Sequence, residues 1–315
     1  MLSPEERYRG CLFGLAAGDA LGVAVEFMSP GSFKRVSEML GRPGWNLAPG
    51  DWTDDTSMAL CLAESLVIRG RFDAEDQMLR YLRWYEEGYM SSTGTCFDIG
   101  NTTRDALLQF KRSGQAYAGS THPHTAGNGS LMRLAPVPMF FATDAARAMD
   151  RAGDSSRTTH AATEAVDGCR LFALLIVAAL SGLPKEVFME PPVVADLAPR
   201  IAKVAAGSYK RKQPPEIRGT GYVVESLEAA LWAFWNAGSF EEALILAVNL
   251  GEDADTTGAI CGQIAGAYYG YEAIPDRWKQ KIAMHALILD FADRLLELAG
   301  GIVARDALEE QYWCE

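Results

Sequence analysis

Two runs of four glycines, each glycine four residues from the next, constrain this chain more than any other feature. They stand at Gly10, Gly14, Gly18 and Gly22 and at Gly258, Gly262, Gly266 and Gly270, inside stretches of helical periodicity. A glycine inside a helix costs about 1 kcal/mol relative to alanine. That cost makes sense if each bare stripe lets another backbone come very close, so the two helices are expected to pack on each other or on a common neighbour in i±4 ridge contact. Such spacing is best known from membrane helices, but Arg7, Arg9 and Asp19 exclude a span here. An antiparallel pairing would carry Asp19 and Glu26, at the end of the first helix, toward Asp253 and Asp255 at the start of the second.

That second start is acidic: Gly251-Glu252-Asp253-Ala254-Asp255-Thr256-Thr257-Gly258. A partial echo, Thr53-Asp54-Asp55-Thr56, precedes the apolar run that begins at Met58. Asp and Thr are favoured helix N-caps, and each cluster stands where a helix begins. Capping needs one side chain, with a second acid for the helix dipole, whereas four Asp and four Thr crowd these two starts. If the clusters meet in space, unpaired carboxylates would repel unless a cation offsets them. Carboxylate and hydroxyl oxygens are the ligands Mg²⁺ and Mn²⁺ prefer, and the clusters suit one shared ion or a pair.

Between these landmarks the pattern is helical throughout. Helices are expected over about 56–69, 73–89 and 102–113, with a short one near 33–40 inside the Pro- and Gly-rich stretch 28–52. Further helices run from Asp144 to Gly153, from a Thr158-Thr159-His160 cap to Gly182, and over about 197–206 capped by Asp196. The pattern continues from Tyr222, from Ser239 to Gly251, at Pro275, and over 282–298. No period-2 run or linker-like boundary appears, which predicts an all-α fold and a single domain over residues 1–315. With 29 basic against 41 acidic residues the net charge is −12, which disfavours a nucleic-acid partner. Six cysteines without a CxxC, at 11, 61, 96, 169, 261 and 314, read as reduced thiols. The charged N-terminus resembles no signal peptide, and the longest apolar run, 171–180, is too short for a membrane span. The expected compartment is the cytoplasm.

Three further polar islands carry possible chemistry. Asp98 precedes a Gly turn and a Thr-led helix start, where an Asp also serves simply to hold the turn. Gly127-Asn128-Gly129-Ser130 is expected to open a helix and to offer free N–H groups to a phosphate. His160 sits at a helix start, where it would either donate to a phosphate or ribose oxygen or hold the cap. His122 and His124 read as loop residues, and four histidines without HxxxH argue against zinc.

With these motifs in place the chain resembles the ADP-ribosylglycohydrolase family over nearly its full length. The resemblance is carried by Gly18-Asp19-Ala20-Leu21-Gly22 with Glu26-Phe27, by Thr53-Asp54-Asp55-Thr56, and by Asp98-Ile99-Gly100-Asn101-Thr102-Thr103. It continues in Gly127-Asn128-Gly129-Ser130-Leu131-Met132-Arg133, in Thr159-His160 and in the acidic stretch at 251–258. It implies an orthogonal multi-helix bundle holding two Mg²⁺ (or Mn²⁺) ions in a cleft. Thr53, Asp54 and Asp55 would be ligands from one side, and Asp253, Asp255 and Thr256 from the other. Asp98, Glu26 and Asp55 would be the catalytic carboxylates. Gly100, the Gly127, Asn128, Gly129 and Ser130 loop, Met132 and His160 would hold ADP-ribose, with Tyr222 lining the distal cleft.

The implied activity is metal-dependent removal of ADP-ribose from a modified protein side chain, arginine above others, by cleavage at ribose C1″. Alternatives on the same fold are hydrolysis of serine-linked or free ADP-ribose derivatives, and a non-catalytic ADP-ribose-binding or immunity protein that occludes an ADP-ribosyltransferase.

Overall fold

The computed structural model describes residues 2–313. The helices in chain order are α1 Pro4–Gly22, α2 Asp54–Arg69, α3 Ala74–Glu87, α4 Asn101–Ser113, α5 Pro136–Phe140, α6 Ala145–Arg157, α7 Thr163–Leu180 and α8 Lys185–Phe188. They continue as α9 Pro199–Ala205, α10 Val223–Asn236, α11 Phe240–Val248, α12 Ala254–Tyr269, α13 Asp276–Lys279, α14 His285–Ala299 and α15 Arg305–Tyr312. Among the described residues there is no strand, only isolated bridges at Arg42–Leu47, Ser120–His160 and Gly127–Tyr222.

The two glycine stripes meet. A Cβ added to Gly10, Gly14 or Gly18 would fall on the carbonyl oxygen of Gly266, Gly262 or Gly258 respectively, and the same holds in reverse. α1 and α12 therefore run antiparallel with their backbones in contact, as the spacing predicts, and the fold is built on that pair. Arg7 fastens one end: its Nη1 donates to the carbonyls of Ala179 (2.9 Å), Ala267 (3.0 Å) and Tyr268 (3.1 Å). These are last-turn carbonyls of α7 and α12 that have no partner within their own helices. α2, α7, α10, α11 and α14 close around the pair, burying Phe13, Trp52, Phe172, Phe234, Phe240 and Trp278.

Four helices begin with ordinary side-chain caps. Ser3, Asp73, Asp144 and Ser239 accept from the N–H three residues on, at 3.2, 3.1, 3.0 and 3.1 Å. Several expected boundaries are corrected. Residues 33–40 form no helix, because Asn249 holds Val36 by both its N–H and its C=O, each at 2.8 Å. Thr158 does not start α7; its hydroxyl donates back to Ser155 O at 2.7 Å and ends α6. α6 runs past Gly153 to Arg157, since that glycine faces the side chains of Val166 and Arg170. Asp196, at φ 57°, does not cap α9; instead Asp167 Oδ2 accepts the Ala198 N–H at 2.8 Å. Gly127–Ser130 opens a series of turns and not a helix. α14 starts at His285, after Ala283 N–H is drawn to Gly50 O at 3.1 Å. α8 and α15 were not expected. The five described cysteines are free thiols, and Cys314 lies outside the described residues. No helix is long and apolar enough to cross a membrane.

Candidate metal centre and substrate cleft

The starts of α2 and α12 lack the side-chain caps of α1, α3, α6 and α11: neither Thr53 nor Asp253, the residues at the cap position, makes a side-chain cap bond. For α2 the capping is done from another helix. Asp19 of α1 accepts Thr53 N–H (3.0 Å), Thr53 Oγ1 (3.0 Å), Thr56 N–H (3.0 Å) and Thr56 Oγ1 (2.6 Å). The remaining oxygens face one another. Thr256 Oγ1 donates to Asp55 Oδ1 at 3.1 Å, and Thr53 Oγ1 lies 3.2 Å from Asp55 Oδ2 and 3.4 Å from Asp255 Oδ2. The echo between the motifs extends to the backbone: Ser57 Oγ donates to Thr53 O and Thr257 Oγ1 to Asp253 O, both at 2.8 Å.

Carboxylate oxygens of Asp19, Asp55 and Asp255 come within 4.8 Å of one another, as do those of Glu26, Asp98 and Asp255. Asp255 joins both groups. Its Oδ1 is buried and has no hydrogen-bond partner. A buried, unpaired carboxylate oxygen amid like charges is unfavourable unless a cation or proton offsets it. The donor set, all carboxylate and hydroxyl oxygen, fits a hard divalent cation.

The electrostatics match this crowding. Burial, outweighing the bonds from Thr56 and Thr53, raises the Asp19 carboxyl to about 6. Burial and then the Asp98 charge raise Glu26 to about 9, against the opposing pull of Arg42. Burial and then Asp19 bring Asp98 to about 7. Asp54, Asp55 and Asp255 are pushed well above the usual carboxylate range by burial and then by one another and their acidic neighbours.

Beside this cluster opens a cleft of about 660 Å³. Of the residues singled out in the sequence, Glu26, Asp54, Asp98, Gly100, Gly127, Asn128, Gly129, Met132, His160, Asp253, Asp255 and Thr256 line it. Thr53 and Asp55 sit fully buried behind. Ser130 faces inward, its Oγ 2.8 Å from Ser156 Oγ. The Tyr222 side chain points elsewhere, its hydroxyl held between Glu164 and Arg200.

Asn128 ties the loop to the acidic cluster, Nδ2 donating to Asp253 Oδ2 at 2.7 Å. The expected cradle is narrower than four amides, because Gly127 N–H is taken by Thr125 O (2.8 Å) and Asn128 N–H by Gly221 O (3.1 Å). Gly129 is required where it stands: a Cβ there would meet His160 Cε1 at 2.8 Å. His160 is 3% exposed, and burial, then Arg133, lower its pKa to about 3. Arg133 is itself fully buried and clamps loop and histidine together, donating to Gly129 O (3.0 Å) and Thr159 Oγ1 (2.7 Å).

Other residues that line the cleft have no role assigned from the sequence: Phe27, Asn101, Thr102, Thr103 and Glu252, which stand inside the quoted motifs, and Arg218, Thr220 and Gly221, which stand outside them. For the first five the available signal is membership of those motifs; for the other three it is only their place just before Tyr222. Phe27, Asp98 and Glu252 share a left-handed backbone, with φ of 60°, 60° and 57°, a conformation that concentrates at functional sites.

The sequence model of the ADP-ribosylglycohydrolase family matches residues 2–303. The chain belongs to the ADP-ribosylglycohydrolase family. It is 44% identical over 310 residues to the ADP-ribosylarginine hydrolase Tri1 of Pseudomonas putida (strain GB-1), covering 98% of this chain and 83% of that one. Over 307 residues it is 30% identical to the ADP-ribosyl-[dinitrogen reductase] glycohydrolase of Rhodospirillum rubrum, covering 95% and 98%. A solved structure described as an ADP-ribosylglycohydrolase-related protein complex superposes with a TM-score of 0.84 at 45% identity, covering 94% of this chain and 99% of that one. The all-α fold and the enzyme class expected from the sequence are those of this family.

Proposed function

We propose that this enzyme removes ADP-ribose from arginine side chains of modified proteins, in the cytoplasm, by cleaving the glycosidic bond at ribose C1″. The observation that carries the proposal is the meeting of Asp55 and Asp255, with an unpartnered carboxylate oxygen, beside a cleft of about 660 Å³. The arginine linkage is supported by the relative named as an ADP-ribosylarginine hydrolase.

Thr53, Asp54 and Asp55 with Asp253, Asp255 and Thr256 would hold two Mg²⁺ or Mn²⁺ ions. Bound divalent cations orient ribose hydroxyls and make water a better nucleophile. The start of α4 and the Gly129 and Ser130 amides receive the diphosphate, which is how a chain of net charge −12 accepts a polyanion. His160 stays neutral and buttresses that loop. Asp98 and Glu26 line the cleft with the reacting sugar, and between them they take the proton from water and deliver one to the leaving group.

The test is release of ADP-ribose from an ADP-ribosyl-arginine protein with Mg²⁺ or Mn²⁺, with and without a chelator. Release that stops on chelation is expected; none under any divalent cation would end the proposal.

A further inference from the structure

We propose that Glu252, with Phe27 lining the same cleft, recognises the guanidinium of the modified arginine, and that Arg218 occupies this place in the free enzyme. The inference rests on the arginine reading above.

Arg218 reaches into the cleft and pairs through Nη2 with Glu252 Oε1. The chain thus already sets a guanidinium on this carboxylate. Only one oxygen is used: Glu252 Oε2 is buried without a hydrogen-bond partner. A guanidinium fork satisfies both oxygens of a carboxylate when it approaches squarely, so the pairing with Arg218 leaves half of the available bonds unmade.

The backbone fixes this carboxylate in place. Phe27 N–H donates to Glu252 O at 2.6 Å and Glu252 N–H to Met28 O at 2.8 Å, and both Phe27 and Glu252 are left-handed. An unbranched acid in that conformation, where glycine is the easy choice, implies that its side chain is needed. Phe27 is 67% exposed although it lines the cleft. Its ring already meets one guanidinium, with Arg42 Cζ 5.8 Å from the ring centroid, and an exposed aromatic ring suits a planar cation. The same arrangement is already used one step away, where Arg42 pairs with Glu26 at 3.0 Å and lies 3.8 Å from the Trp45 ring centroid. The Arg218 side chain is 52% exposed, so an incoming arginine displaces it at small cost.

The experiment compares KM for an ADP-ribosyl-arginine substrate with Ki for free ADP-ribose, which lacks the guanidine. Glu252→Gln is expected to raise KM about tenfold or more, the worth of a charge-assisted hydrogen bond, with a far smaller change in Ki. Arg218→Gln is expected to lower KM about two- to fivefold by removing the competitor. A purely structural role for Glu252 would move KM and Ki together, and that result, or an unchanged KM in both variants, overturns the inference. A wild-type enzyme that releases no ADP-ribose from arginine overturns the arginine reading itself, and this inference with it.

Discussion

Thr256 donates its hydroxyl to Asp55 Oδ1 across 201 residues of sequence, joining the starts of α12 and α2 at 3.1 Å. The acids around that bond are held together against their own repulsion. Asp55→Asn or Asp255→Asn removes one carboxylate from the cluster and, on the proposed function, one ligand from the metal site. Both variants are expected to melt higher than wild type in chelator, to lose the upward shift that Mg²⁺ or Mn²⁺ gives wild type, and to lose turnover by at least about 100-fold. Thermal melts with and without metal check the first two effects. A wild-type protein indifferent to metal would contradict them.

The pH dependence of the metal-free protein follows from the same carboxyls. Asp19, Asp98 and Glu26 titrate near 6, 7 and 9 in the folded protein, against about 4 when unfolded. Each folded-state value is raised, so between about pH 4 and the folded value the native state binds more protons. That stability is complete below pH of about 4 and is lost as pH rises through 6, 7 and 9. His160, depressed to about 3, works the other way and adds stability as pH rises toward about 6.5. The carboxyls outnumber it, so denaturant midpoints in chelator are expected to fall from pH 5 to pH 8. Saturating metal, which takes the place of the protons, should flatten or reverse that slope.

At the glycine contact there is no space for a side chain. Gly262→Leu must push α12 off α1, and is expected to cost at least about 3 kcal/mol or to abolish soluble expression. Gly44→Ala, where nothing lies within 4 Å, is the control and should be near neutral. A Gly262→Leu protein with a wild-type melting temperature would contradict the packing.

Arg133 holds the Gly127–Ser130 loop from behind, 4.6 Å from the Tyr81 ring and bonded to Gly129 and Thr159. Arg133→Met leaves those acceptors unpaired in a buried place. The expected loss is about 2–4 kcal/mol of stability, together with a KM increase larger than the fall in kcat, because the proposed role of the loop is to bind the substrate and not to react. Steady-state kinetics and denaturant melts on the same preparation separate the two.

Much of this was readable in the amino-acid order because it depends on spacing. Glycines every four residues dictate a close helix pair, and that pair carries Asp253 and Asp255 to the end of α1. What the sequence could not show was the division of labour inside the cluster. Asp19 looked like one more acid near the site, yet it caps α2 and so frees Asp55 to face Asp255. That exchange depends on three-dimensional reach, and no local pattern encodes it. The loop stretches were equally opaque: 33–40 lost its helix to Asn249, more than 200 residues away, and Tyr222 turned toward Glu164 and Arg200. Glu252 and Arg218 were hidden for a different reason, since an ion pair between two loops has no periodicity.

Asp19 and Asp55 lie early in the chain and Asp253 and Asp255 late, so a nascent chain that stops before residue 253 holds only half of the acidic cluster. The chain must be made through α12, to Tyr269, before that helix can seat against α1 and bring the two sets of acids together. The glycine seam thus makes folding and assembly of the acids one event: a copy cut short before residue 253 lacks both α12 and the backbone contact on which α1 is packed.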